Sequence, residues 1–180
     1  VEAAARAGII VIAASGNYGV ATQTGLPGYA GVLSPGNAPS GITVGWVKTF
    51  DSDRRSDDRI AEYSSRGPTW YDGVAKPDLV APGHGLVSVG ARSSSLYENY
   101  PSLRVGKYYL RLTGTSMAAA VVSGAAALIV QAHRDVVGTK KLERLIHIPG
   151  RMPELDDRTN RRPAFPASRP RCEKRLETRQ

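Results

Sequence analysis

The chain opens on Val1-Glu-Ala-Ala-Ala-Arg-Ala7, a run of strong helix formers. Gly8 follows and predicts the end of that helix, as a glycine just past the last turn often does. Ile9-Ile-Val-Ile-Ala-Ala14 is then apolar at every position and rich in β-branched residues. A short continuous apolar run of this kind after a helix predicts a buried parallel strand. It stops at the polar turn Ser15-Gly-Asn-Tyr-Gly19. Open α/β sheets place their sites at such strand ends. Residues 20–40 are rich in Gly, Pro and Ser and read as loop. Ile42-Thr-Val-Gly-Trp46 predicts a second strand, and Asp51 to Arg59 a charged surface loop. Pro77 to Pro82 and Leu86 to Val89 predict short strands around the turn Pro82-Gly-His-Gly85. Tyr108 to Leu112 alternates as a hairpin or edge strand does.

The segment Gly114 to Val130 is apolar almost all round and dominated by Ala and Gly. That pattern predicts a helix buried at the centre of the domain, its small residues allowing close packing. After His133 the texture changes. Residues 149–180 combine frequent Pro and Lys/Arg with only Met152, Leu155, Phe165 and Leu176 as larger apolar side chains. So little apolar surface does not offset chain entropy, and disorder is expected. Lys140 to His147 has room for one amphipathic turn or two. The domain organisation read from these patterns is a folded part over 1–133 and a basic, Pro/Arg-rich tail over 134–180. There is no internal repeat.

Composition narrows the possibilities. A chain of 180 residues suits one domain. No apolar run approaches the ~18–20 residues of a membrane span, so no span is expected. The single cysteine, Cys172, excludes an internal disulfide framework, and the three scattered histidines exclude a zinc site of ordinary Cys/His spacing. The net charge of +8 is uneven. Residues 1–133 hold 11 Lys/Arg against 9 Asp/Glu, whereas residues 134–180 hold 13 against 7. The tail offers Phe165 as its one aromatic and no helical framework, so nucleic acid is not an expected partner. No charged segment followed by an apolar stretch and a cleavage site is present, so no signal peptide is visible. The chain begins at Val1 within a helical pattern, which reads as a fragment.

Two segments carry candidate chemistry. In Ala14-Ser-Gly-Asn17 an Asn stands at a strand end after a glycine that admits close approach. Its amide could donate to a developing oxyanion, or simply form the turn. In Gly114-Thr-Ser-Met-Ala118 a serine stands in the first turn of the long apolar helix. Ser116 there could cap the helix, as could Thr115, or act as a nucleophile beside free backbone N–H groups.

Taken together the two segments resemble the subtilisin-like (subtilase) serine proteases. Gly114-Thr-Ser-Met-Ala118 is similar to the family's nucleophile motif and Ala14-Ser-Gly-Asn17 to its oxyanion-hole motif. Tyr63-Ser-Ser-Arg-Gly-Pro68 and Lys76-Pro-Asp-Leu-Val-Ala-Pro-Gly83 resemble two further signatures in the family's order. The resemblance covers roughly residues 1–133. It implies an α/β fold, a partial subtilisin-like fold with a mostly parallel sheet flanked by helices. It implies serine endopeptidase chemistry on polypeptide substrates, with Ser116 as nucleophile and Asn17 in the oxyanion hole. Ala14, Ser15 and Gly16 would line the pocket for the side chain before the cut bond. No cofactor is required. Relatives often carry structural calcium, but no acidic cluster here has a readable calcium-loop pattern. Family precedent implies secretion.

The departures are as informative. Ala120 stands where the family usually has proline. The family's Asp and His precede the oxyanion Asn, so they would lie before Val1, in a missing N-terminal half. His84 and the Asp51/Asp53 pair lack the family's surroundings for those roles. Without its base Ser116 is an ordinary alcohol, and the chain alone is expected to be inactive. Past the long helix the family usually continues with another amphipathic helix, which the tail does not show. Three other readings fit less of the chain. An α/β-hydrolase would need Asp135 and His147 on a sheet that the polar tail does not supply. A nucleotide-binding domain lacks any phosphate-cradling glycine motif. A non-catalytic pseudoprotease or interaction module would keep Ser116 and Asn17 without use for them.

Overall fold

The computed structural model describes residues 1–50, 52, 54–133, 138 and 142. The disorder expected over 149–180 and the amphipathic turn expected at 140–147 lie outside these residues, Leu142 excepted. So do Asp51, Asp53 and Asp135.

The first helix, α1 (Glu2–Arg6), and the first strand, β1 (Ile12–Ala14), follow as the pattern predicts, but β1 is shorter than the apolar run. Its partner begins only at Ile42, after a turn closed by Gly41 N–H on the Ala38 carbonyl, and the Ile42 N–H donates to the Val11 carbonyl at 2.8 Å, so the paired register starts at Ile12. That partner, β2 (Ile42–Lys48), is the centre of the main sheet. β1 runs parallel to its first half, Ile12 opposite Ile42 and Ala14 opposite Val44. β4 (Leu79–Pro82) runs parallel to it on the other side, Val44 opposite Leu79 and Val47 opposite Pro82. A two-residue strand, β3 (Arg59–Ile60), pairs antiparallel with its end. The Ile-Thr-Val-Gly-Trp-Val stretch of β2 is buried throughout, which is what β-branched and aromatic residues in a central strand require.

A second sheet is small and antiparallel. It holds β5 (Leu86–Val89), β6 (Arg104–Val105) and β7 (Tyr109–Leu112) in the order β5-β7-β6. The Tyr108 to Leu112 segment forms the expected hairpin, β6 and β7 pairing antiparallel around Gly106 after a short helix, α2 (Ser95–Asn99), and it is central rather than an edge because β5 pairs with its other side.

The long helix, α3 (Thr115–Ala132), corrects the expectation of burial all round. Thr115, Ala118, Val122 and Ala126 are buried, one stripe at the helical repeat, while Val121, Ala125 and Leu128 are exposed. The stripe packs with Ile42, Val44 and Trp46 in the core, which Leu142 also joins. Small side chains contribute too little contrast for the sequence to mark which face packs. The same helix corrects the expectation about length: at 18 residues it is long and apolar enough to cross a membrane by length and composition. Its stripe on the sheet is the packing of a domain helix.

Lys76 and Asp78, just before β4, form an ion pair in which the lysine is buried and the aspartate half-buried. Lys76 Nζ donates to Asp78 Oδ2 at 2.6 Å and to the Gly41 carbonyl at 2.7 Å. The same Asp78 oxygen accepts the Thr43 N–H at 2.6 Å. Both charges are thus bonded, and the pair ties the approach to β4 onto the start of β2.

Candidate active site

The site forms where β1 ends and α3 begins. Ser15 N–H still reaches the Val44 carbonyl at 2.9 Å, one residue past the strand. Gly16, at φ +103°, then turns the chain out of the sheet. From the other side comes Gly114, at φ +147°, whose N–H donates to the Gly83 carbonyl at 2.8 Å. A Cβ on Gly83 would stand 2.7 Å from the Gly114 oxygen and 2.8 Å from Trp46 Cβ. A Cβ on Gly114 would stand 3.2 Å from Asn17 Nδ2. Glycine at both places lets the helix start sit directly against the strand end.

Asn17 and Thr115 are 98 positions apart and are bonded to each other. The Thr115 N–H donates to Asn17 Oδ1 at 3.1 Å. Its hydroxyl donates to the same oxygen at 3.2 Å and accepts the Gly16 N–H at 3.2 Å. With its oxygen held by two donors, the Asn17 amide keeps its NH₂ group, a pure donor, for anything placed beside it. This arrangement also corrects the expected helix cap. The N-cap of α3 is Gly114, which has no side chain to cap the helix; Asn17 Oδ1 accepts the first helical N–H instead, and the fully buried Thr115 hydroxyl is committed between Gly16 and Asn17.

Ser116 is the next residue and is exposed. Its hydroxyl makes no hydrogen bond among the described residues. It sits in the first turn of α3, where backbone N–H groups lack helical acceptors and the helix dipole is positive. A nucleophile at this place would find donors for the negative charge it creates.

The three residues expected to line a substrate pocket differ from one another. Ser15 is fully buried, while Ala14 and Gly16 are half-buried. Leu33, whose N–H donates to the Ser15 carbonyl at 3.1 Å, lies close over Gly16. Ser65 belongs to the Tyr63–Pro68 signature without a role readable there, and neither Leu33 nor the bonds of Thr115 to Asn17 and Gly16 have a local sequence pattern. Their signal is a tertiary contact, which spacing along the chain does not reveal.

Neither described histidine completes the site. His84 stacks on Trp46 with ring centroids 6.0 Å apart, and His133 follows the far end of α3. Neither bonds to Ser116. Among the described residues no three His, Cys, Asp or Glu side chains cluster as metal ligands would.

This junction and the sheet behind it match a known family. The Peptidase_S8 model, described as the subtilase family, matches residues 1–147. The chain belongs to the subtilase family. The serine protease AprX of Bacillus subtilis (strain 168) is 41% identical over 136 residues, which cover 76% of this chain and 29% of that protein. Subtilisin E of the same organism is 33% identical over 145 residues, covering 81% of this chain and 29% of that protein. Among solved structures, sphericase superposes with a TM-score of 0.56 at 25% identity, over 80% of this chain and 40% of the other. The fold is thus the α/β, partial subtilisin-like fold that the sequence motifs imply. The chain spans less than a third of the length of AprX and subtilisin E.

Proposed function

We propose that this chain is the nucleophile-bearing part of a subtilase catalytic domain, a serine endopeptidase acting on polypeptides. One observation carries the reading: the Thr115–Asn17 bonds hold the Asn17 amide beside the helix start that presents Ser116. Ser116 Oγ attacks the scissile carbonyl carbon and its proton passes to a base. The carbonyl oxygen becomes an oxyanion, stabilised by the Asn17 NH₂ and by backbone N–H groups at the start of α3. The intermediate collapses as the leaving amine takes the proton, and water then releases the acyl group from Ser116. Ala14 and Gly16, with the Ser15 backbone, border the pocket for the side chain ahead of the cut bond.

The base is not among the described residues, and the family order Asp, His, Ser places it upstream of Asn17. The working enzyme is therefore the polypeptide that joins this chain to those residues, and the chain by itself is inactive. Loss of the histidine in a subtilisin costs nearly as much as loss of the whole triad, a comparison established on that protein. The reaction needs no cofactor. Family membership supports an extracellular site of action.

The test is peptide hydrolysis by the full-length protein. Ser116→Ala abolishes turnover with the fold intact. Asn17→Ala lowers kcat by about 10²–10³, the cost of one oxyanion donor as measured in a subtilisin. Full activity in Ser116→Ala would remove the nucleophile assignment, whereas a full-length protein that hydrolyses no peptide would leave an interaction module as the reading.

A further inference from the structure

We infer that Ser65 is a positioning residue for Asn17, setting the oxyanion donor through the peptide units on either side of it. The inference rests on the proposed role of Asn17. Ser65 N–H donates to the Gly16 carbonyl at 2.9 Å. Ser65 Oγ accepts the Tyr18 N–H at 3.0 Å. One buried residue thus grips the chain immediately before and immediately after Asn17. Ser65 is 1% exposed, so neither bond competes with water. Gly16 admits this grip: a Cβ there would stand 3.0 Å from the Ser65 hydroxyl oxygen.

Thr115 and Ser65 divide the work. Thr115 fixes the side-chain amide of Asn17 and the Gly16 N–H. Ser65 fixes the Gly16 carbonyl and the Tyr18 N–H. With both in place the Asn17 backbone cannot swing, and its amide is held before any charge develops. Such preorganisation acts on the transition state more than on substrate binding. Ser65 touches no reacting atom itself.

The experiment is a double-mutant cycle in the full-length protein, read by steady-state kinetics and by inhibition with a peptide boronate, which mimics the tetrahedral intermediate. Ser65→Ala lowers kcat on the order of tenfold with KM little changed, since displacing an aligned group by a fraction of an ångström weakens the transition state selectively. Boronate affinity falls by a similar factor. In an Asn17→Ala background, Ser65→Ala has no further effect on kcat, because the donor it positions is gone. Ser65→Cys keeps the volume but weakens the acceptor, and gives the same kcat loss with an unchanged melting temperature should Ser65→Ala fold poorly. An equal loss in both backgrounds, or a change confined to KM, overturns the inference while leaving the Asn17 assignment in place. Normal kcat in Asn17→Ala alone is the distinct result that overturns both.

Discussion

The two sheets use similar residues in different ways. Val44 in β2 is wholly buried, whereas Val89 in β5 is 77% exposed. The main sheet has α3 on it, an ion pair bonded to the start of β2 and a strand on each side of β2. The β5-β7-β6 sheet is held by its own ladder, by the buried Leu110 and Tyr97, and by contacts at its surface such as the exposed Arg104 over the Tyr97 ring at 4.5 Å. Asn17 hangs from the end of β1 and Ser116 from the helix that covers β2. The two candidate residues are thus mounted on the main sheet, while the small sheet lies between β4 and α3 in the chain. Residue type alone does not make the difference; what packs on each face does.

That contrast can be broken at its most expensive point first. Lys76→Ala leaves the Asp78 carboxylate without its cation, and the main sheet loses about 3–5 kcal/mol. Denaturant unfolding of the full-length protein measures it. Arg104→Ala, the cationic contact of the small sheet, costs about 1 kcal/mol or less in the same assay, because it lies at an exposed site. Equal losses would mean that the two sheets are equally loaded.

A smaller contrast comes from truncating one apolar side chain in each sheet. Ile42→Ala costs about 2–5 kcal/mol, as fully buried branched side chains do. Val89→Ala stays within about 0.5 kcal/mol. If Val89→Ala proved as costly as Ile42→Ala, another part of the protein would have to cover β5.

The smallest effect lies at the margin of the main sheet. Glu2 Oε1 accepts the Ser40 N–H at 3.1 Å, and hydrogen bonding from Ser40 holds its carboxyl below the ordinary value. A lowered folded-state value means that the ionised form favours the fold. The contribution is present above the ordinary carboxylate range and is lost as pH falls through the lowered value. Glu2→Gln therefore leaves a slightly shallower fall of stability towards acid. A steeper fall would reverse the sign.

Much of this was legible in the order of the residues. The turn after Ala14, the strand at Ile42 and the two motifs holding Asn17 and Ser116 all carry local signals of glycine placement, β-branching and polarity. What was not legible depended on partners distant in sequence. The apolar run from Ile9 is longer than the strand because the paired register is set by where Ile42 begins. The apolar pattern of α3 suggests burial all round because a helix of Ala and Gly has no polar face to betray its exposed side. Thr115 has the residue type of a cap, while its hydroxyl is spent 98 positions away, on Asn17.

The most direct test of the central claim is covalent labelling of Ser116 by a fluorophosphonate probe, located by peptide mass spectrometry. Rapid labelling is expected at Ser116 in the full-length protein, lost in Ser116→Ala, with no labelling at a useful rate in the 180-residue chain alone. Rapid labelling of the isolated chain would show that the base lies within it. A full-length protein that does not label would contradict the nucleophile assignment itself.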